Sequence, residues 1–193
     1  MSRPRLVLAS TSPYRRELLR RLGLPFDCLA PQVDESPRPG ETPQALVRRL
    51  SRDKALAVAA GPESLVIGSD QAAVCAGEVL GKPGGAEAAR AQLRFLSGRT
   101  VVFHTGLCVH EVRTGRLHEA CVDTEVVFRS LTEDEIARYL EKERPYDCAG
   151  SFKSEGLGIT LFEAIRSEDP TALVGLPLIR LAAFLRRCGL PLP

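Results

Sequence analysis

The chain has 193 residues and a formal charge of +2, from 26 basic and 24 acidic side chains. That length suits one domain or two closely packed lobes and buries about 70% of the unfolded surface, so no disulfide staple is required. The basic excess is too small to argue for non-specific nucleic-acid binding, and no apolar run reaches membrane-spanning length.

Met1 to Arg5 lead into a short apolar run that is too brief for the core of a signal peptide, so the expectation is a cytoplasmic protein with no membrane partner. Leu6–Ala9 reads as a strand, followed by a loop and a helix with Ser12 as N-cap, Pro13 as its first residue and Gly23 as its stop. Its interior face is Leu18, Leu19 and Leu22. Arg15 and Arg16 carry the wrong sign for a helix N-terminus, where free N–H groups favour anions. They form either an anion cradle or part of a solvated face.

Pro31 to Gly40 is a polar, proline-rich loop carrying Asp34 and Glu35. Thr42 and Pro43 then open a second helix, running to about Ala60, whose apolar stripe steps through Leu46, Leu50 and Lys54. A lysine at an interior position is costly unless paired, which favours a cleft-facing Lys54. It is one of only four lysines, with Lys82, Lys142 and Lys153, among the 26 basic residues.

The apolar strand Leu65-Val66-Ile67-Gly68 ends in Ser69, Asp70 and Gln71, a polar tip at the kind of sheet edge where α/β proteins hold ligands. The apolar run continues from Ala72 to Cys75 and turns back through Val79 and Leu80, leaving Lys82 on a rigid turn. A helix over Ala86–Leu96 follows, then a β-hairpin of Val101–Val112 and Leu117–Phe128. His104, His110 and His118 fall in that hairpin, but no Cys or carboxylate stands at metal-ligand spacing, so a zinc site is not expected.

Thr132 and Glu135 form a capping box that opens a helix to about Glu141. Cys148 to Ile159 is glycine-rich among small polar residues, as suits backbone passing close to a ligand. A strand over Ile159–Ile165 and helical pieces starting at Pro170 and Pro177 complete the pattern. The six cysteines, Cys28, Cys75, Cys108, Cys121, Cys148 and Cys188, are scattered singly and read as small buried hydrophobes in a reducing compartment.

Carboxylates at Asp70, Asp34 and Glu35 with nearby cations suit metal-assisted phosphoryl chemistry: cations neutralise a polyphosphate while a carboxylate activates water. No Walker A loop, G-x-G-x-x-G fingerprint or G-x-S-x-G elbow is present. The residues alone reach a phosphate-handling α/β enzyme.

Six motifs carry a resemblance that goes further: Ala9 to Leu19, Val33-Asp34-Glu35, Lys54-Ala55, Gly68-Ser69-Asp70-Gln71, Gly81-Lys82-Pro83 and Cys148 to Ile159. In this order, over nearly the whole chain, they resemble the Maf-like nucleotide pyrophosphatases. The resemblance implies a single domain over residues 1–193, with a mixed, elongated α/β sheet and flanking helices in two lobes around a nucleotide cleft. It implies a divalent cation, Mg²⁺ or Mn²⁺, and cleavage of a nucleoside triphosphate between its α and β phosphates. Asp70 matches the catalytic acid that takes a proton from water and, with Glu35, holds the metal. Ser10, Arg15, Arg16, Lys54 and Lys82 match the phosphate-contacting set.

Tyr14, Gln71 and Glu155 resemble the branch acting on 7-methyl-GTP more than the branch acting on dTTP and UTP. Physically, Tyr14 can stack on a base made cationic by methylation, and Glu155 can accept from the guanine N1–H and amino edge. The expected partner is a small-molecule nucleotide, and a homodimer is allowed but not required. The alternatives are a non-catalytic nucleotide-binding regulator of septum formation, or a pyrophosphatase for dTTP, UTP or deaminated purine nucleotides.

Overall fold

The computed structural model describes residues 4–193. Met1 to Arg3, the start of the stretch expected to be too brief for a signal peptide, lie outside the described residues. In chain order the elements are β1 (Arg5–Ala9), α1 (Pro13–Arg20), β2 (Phe26–Leu29), α2 (Pro43–Ala57), β3 (Ser64–Cys75) and β4 (Glu78–Leu80). They are followed by α3 (Ala86–Leu96), β5 (Thr100–Glu111), β6 (Arg116–Phe128), α4 (Glu133–Glu143), a 3₁₀ helix (Leu157–Leu161), β7 (Phe162–Ser167) and α5 (Leu178–Arg187). The strands form a mixed sheet in the order β2-β1-β3-β5-β6-β7, with β4 pairing β3. This is the α/β class expected from the sequence.

The chain divides into two compact units. One runs to Gln71 and takes in His104–Val122 and Asp169–Pro193; the other comprises Ala72–Phe103 and Asp123–Glu168. In the first unit β1 pairs in parallel with both β2 and β3. Its main core joins Leu6 and Leu8 of β1, Leu18 and Leu19 of α1, Leu65 and Ile67 of β3, and Leu181 and Leu185 of α5. Burying each such side chain is worth about 1.5 to 3 kcal/mol relative to exposure, so this seam fixes α1 and α5 against the sheet. The second unit is organised by aromatic side chains: Phe152 packs edge-on against Phe103, Phe128 and Phe162, with ring centroids 5.4, 5.6 and 4.8 Å away.

The helix starts follow their caps. The Ser12 and Thr42 side chains accept from the N–H groups of Arg15 and Ala45, with proline in the first turn of each helix. Thr132 and Glu135 close the expected capping box.

Several boundaries differ from expectation. β3 does not end at Asp70 but continues to Cys75, because the residues after Gln71 are again buried and apolar. α2 stops at Ala57 rather than Ala60, since Val58 is already extended. Ile159 belongs to the 3₁₀ helix and β7 begins at Phe162. Pro170 opens a turn rather than a helix. Cys28 is exposed on β2, although Cys75 and Cys108 are buried as expected, and all six cysteines are free thiols.

Candidate active site

The acid that sequence placed at a strand tip sits inside a long strand, at the step between two of its partners. β3 pairs with β1 through Ile67, and its pairing with β4 begins at Ala73. Between those registers lie Gly68 to Ala72, so Asp70 stands where β3 has left β1 and not yet met β4, while β5 is its other neighbour in the sheet.

Asp70 is 8% exposed, and its partner is Lys54 of α2, 6% exposed, with Nζ 2.6 Å from Asp70 Oδ1. The same ammonium group stands 2.7 Å from Glu35 Oε1 in the loop before α2. One buried lysine therefore draws a buried carboxylate and an exposed one together. A lysine on the interior stripe is tolerated because two carboxylates balance its charge and its ammonium group donates to Asp70.

Glycine makes this approach possible. A Cβ on Gly68 would be driven into the Ser51 carbonyl of α2 and would crowd the Ala55 backbone nitrogen. Gly106 on β5 meets the Val47 carbonyl in the same way. With no side chain at either position, α2 lies directly on the strands. Gly68 and Asp70, two residues apart on β3, share the face that α2 covers.

The neighbouring groups are held by the segment before α5. Ser69 Oγ lies within donating distance of the carbonyls of Gly106 (2.7 Å) and Gly175 (2.9 Å). Arg15 Nε donates to the Gly175 carbonyl at 2.8 Å. Burial lowers the pKa of the Arg15 guanidinium, while the charges of Asp70 and Glu35 oppose that shift. Arg15 thus belongs electrostatically to the acid pair, whereas Arg16 is exposed.

Gln71 Nε2 is directed at Thr105 Oγ1 and at the carbonyls of Ala172 and Leu173, at 2.9 to 3.1 Å. Its amide nitrogen is committed to the protein, leaving Oε1 as the polar atom for other work. The buried Ser10 accepts from the Ser12 N–H at 3.1 Å, and Tyr14 is half-buried on the first turn of α1.

Asp34, the other acid of the loop, is exposed and bonded within the loop: it accepts from the Ser36 N–H at 2.9 Å, and that bond chiefly lowers its pKa. The loop is tethered by residues that sequence reasoning missed. Arg49 of α2 binds both oxygens of Glu41 at 2.7 and 2.8 Å and reaches the Ser36 carbonyl at 3.0 Å. The only sequence signal was an arginine eight positions after a glutamate, too generic to single out. Asp169 was also missed: 1% exposed, it accepts from Thr171 Oγ1 at 2.6 Å and from the Ile179 N–H of α5 at 2.7 Å. It caps α5 from outside the helix and shapes the turn that supplies carbonyls to Ser69, Gln71 and Arg15.

Lys82 and Glu155 belong to the second unit. Lys82 is exposed between β4 and α3. Glu155 is exposed in the glycine-rich loop, where its Oε2 accepts from Ser154 Oγ at 3.2 Å. That loop is pinned by Tyr139, whose OH accepts from the Lys153 N–H at 3.1 Å, and by Glu143, which accepts from the Leu157 N–H at 2.8 Å.

A cation flanked by two carboxylates, with an arginine beside them, can orient a water and present oxygen donors to a hard metal ion. Comparison with known proteins adds to this geometry. A protein named 7-methyl-GTP pyrophosphatase from Xanthomonas axonopodis pv. citri is 59% identical over 98% of this chain and 100% of its own. Proteins of the same name from Pseudomonas aeruginosa and Ralstonia nicotianae are 56% and 55% identical, each over 98% of this chain and covering 100% and 98% of their own lengths. Among solved structures, a HAM1 protein from Coxiella burnetii aligns over 95% of this chain and 99% of its own, with 17% identity and a TM-score of 0.49. The family model described as Maf-like protein matches residues 5–188, and the chain belongs to that family.

Proposed function

We propose that the protein is a nucleoside triphosphate pyrophosphatase that hydrolyses 7-methyl-GTP to 7-methyl-GMP and diphosphate in the cytoplasm. The observation that carries this reading is the Lys54 ammonium group joining Asp70 and Glu35. The names of full-length relatives support the choice of substrate.

In the reaction, water attacks the α-phosphorus and the bond from that phosphorus to the α–β bridging oxygen breaks, releasing diphosphate. Asp70 takes the proton of the attacking water. Lys54 keeps the Asp70 carboxylate oriented, and its charge, with that of Arg15, opposes the negative charge that grows on the phosphoryl oxygens. Ser10 and Arg16 extend the phosphate contacts on the first unit.

The donors of Asp70 and Glu35 are all carboxylate oxygens, which fits Mg²⁺ or Mn²⁺, ions often held by one or two carboxylates together with substrate phosphates. When bound, such an ion neutralises charge on the triphosphate. Tyr14 is suited to stack on a cationic methylated base, and the carboxylate of Glu155 to accept from the guanine edge. Gln71 shapes substrate choice through its position beside Asp70. For Lys82, a phosphate contact, and for Glu155, the proposal rests on side-chain chemistry.

The test is diphosphate release from 7-methyl-GTP, GTP, UTP, dTTP and ITP, with and without excess EDTA. The expected result is the highest kcat/KM on 7-methyl-GTP and loss of turnover with EDTA. A higher kcat/KM on UTP, dTTP or ITP overturns the substrate assignment, absence of turnover on every nucleotide overturns the enzyme, and full activity in EDTA overturns the metal.

A further inference from the structure

The far end of the hairpin assembles three side chains of different chemistry that the proposed reaction does not use. Glu111 is the last residue of β5, His118 lies on β6, and Cys188 follows the last residue of α5. One ligand atom from each, a carboxylate oxygen, an imidazole nitrogen and the sulfur, lie within 4.8 Å of one another. Sequence spacing hides this group, because Cys188 arrives from a helix far along the chain.

The decisive detail is His118 Nε2. Among the described residues it is the one buried side-chain nitrogen or oxygen with no hydrogen-bond partner. Its separation of 3.9 Å from Glu111 Oε1 is too long for a hydrogen bond, and its ring lies 5.6 Å from that of Phe184, which restrains its orientation. A buried ring nitrogen without a partner, facing a carboxylate and a thiol, has the environment of a ligand atom.

We propose that Glu111, His118 and Cys188 bind a divalent transition metal of the zinc type. Tetrahedral coordination at the usual Zn–N, Zn–O and Zn–S lengths separates the donor atoms by about 3.4 to 3.6 Å, so the cluster closes by small side-chain rotations. One imidazole, one thiolate and one carboxylate match the borderline-soft preference of that ion, and the two anionic ligands balance its charge. All three are held on ordered backbone. The N–H groups of Thr114 and Gly115 donate to the Glu111 carbonyl, and the Cys188 N–H donates to the Phe184 carbonyl.

Binding forms a metal–sulfur bond at Cys188 and releases the thiol proton to solvent. With three protein ligands the fourth position is left for water or a small ligand.

The experiment uses the full chain, reduced, stripped with chelator and desalted, and titrated with Co²⁺ as a spectroscopic probe. The expected result is a thiolate-to-cobalt charge-transfer band that saturates at one equivalent and is bleached by Zn²⁺. Cys188→Ser removes the band, and Glu111→Gln weakens binding by more than the roughly 10- to 100-fold that loss of an outer-shell partner costs. Cys28→Ser and Asp70→Asn keep it. No band in the wild type, or a band that survives Cys188→Ser, overturns the site.

A measurement on wild-type protein guards against a variant that does not fold. Zn²⁺ should slow maleimide labelling of Cys188 at least about tenfold while leaving exposed Cys28 unchanged, since a metal-bound thiolate is masked. Equal Cys188 rates with and without Zn²⁺ overturn the proposal.

Discussion

Lys54 Nζ stands 2.6 Å from Asp70 Oδ1, and both side chains are at least seven-eighths buried. In such a pair neither charge is well solvated, so removing one partner leaves the other stranded. Lys54→Met should destabilise the fold by about 3 to 5 kcal/mol, the usual consequence of breaking a buried pair. Adding Asp70→Asn should recover part of that loss. Denaturant unfolding of the two single variants and the double variant measures it; strictly additive effects would show that the two groups are not coupled.

Asp70→Asn alone separates chemistry from binding. Loss of the proposed proton acceptor should lower kcat at least about 100-fold while far-UV circular dichroism stays that of the wild type. Retention of most turnover would remove the general-base role.

Gly68→Ala tests the close approach of α2 without touching an ionisable group. The new methyl group meets the Ser51 carbonyl, so the helix must shift and carry Lys54 away from Asp70. The expected outcome is about 1 to 3 kcal/mol of lost stability and a lower kcat, read from thermal melts and steady-state rates. A variant with wild-type stability and rate would show that α2 does not need this contact.

Glu155→Gln keeps the shape of the side chain and removes its charge. It should reduce kcat/KM for 7-methyl-GTP about fivefold relative to UTP, the equivalent of about 1 kcal/mol from a charge-assisted hydrogen bond. An unchanged ratio would place base recognition elsewhere.

The tether on the acidic loop has a defined pH window. The side chain of Arg49 and, after it, the N–H of Arg38 hold Glu41 down to about 2, against an ordinary value of 4.5. Because the folded-state value is depressed, the stabilisation is complete above pH 4.5 and is lost as pH falls toward 2. Protection of residues 34–41, measured against the intrinsic exchange rate at each pH, should fall through that interval in the wild type. In Glu41→Gln it should be low throughout, and a flat wild-type profile would contradict the tether.

Much of this architecture was legible because it depends on local chemistry. Ser12-Pro13, Thr42-Pro43 and the Thr132–Glu135 box mark helix starts through bonds that span only three residues. Lys54 declared itself by standing on an apolar stripe, where a charge is tolerated only with a partner. What escaped the reading is set by tertiary pairing. Nothing near Asp70 shows that β3 changes partners there and continues to Cys75. Neither the remote cap on α5 nor the Glu111, His118 and Cys188 cluster is local in sequence, since each joins residues from separate elements of the fold.

The turn that Asp169 shapes has a consequence for how the protein is made. Ser69, Gln71 and Arg15 are each held by carbonyls from Ala172 to Gly175, and Asp169 secures that turn to backbone N–H groups of Ile179 and Arg180. During synthesis the segments bearing Asp70 and Lys54 leave the ribosome about a hundred residues earlier, at a rate of about 5 to 20 residues per second. For several seconds the nascent chain therefore carries both reactive charges without the turn that braces their neighbours. The bracing of Ser69, Gln71 and Arg15 waits until that turn has been made.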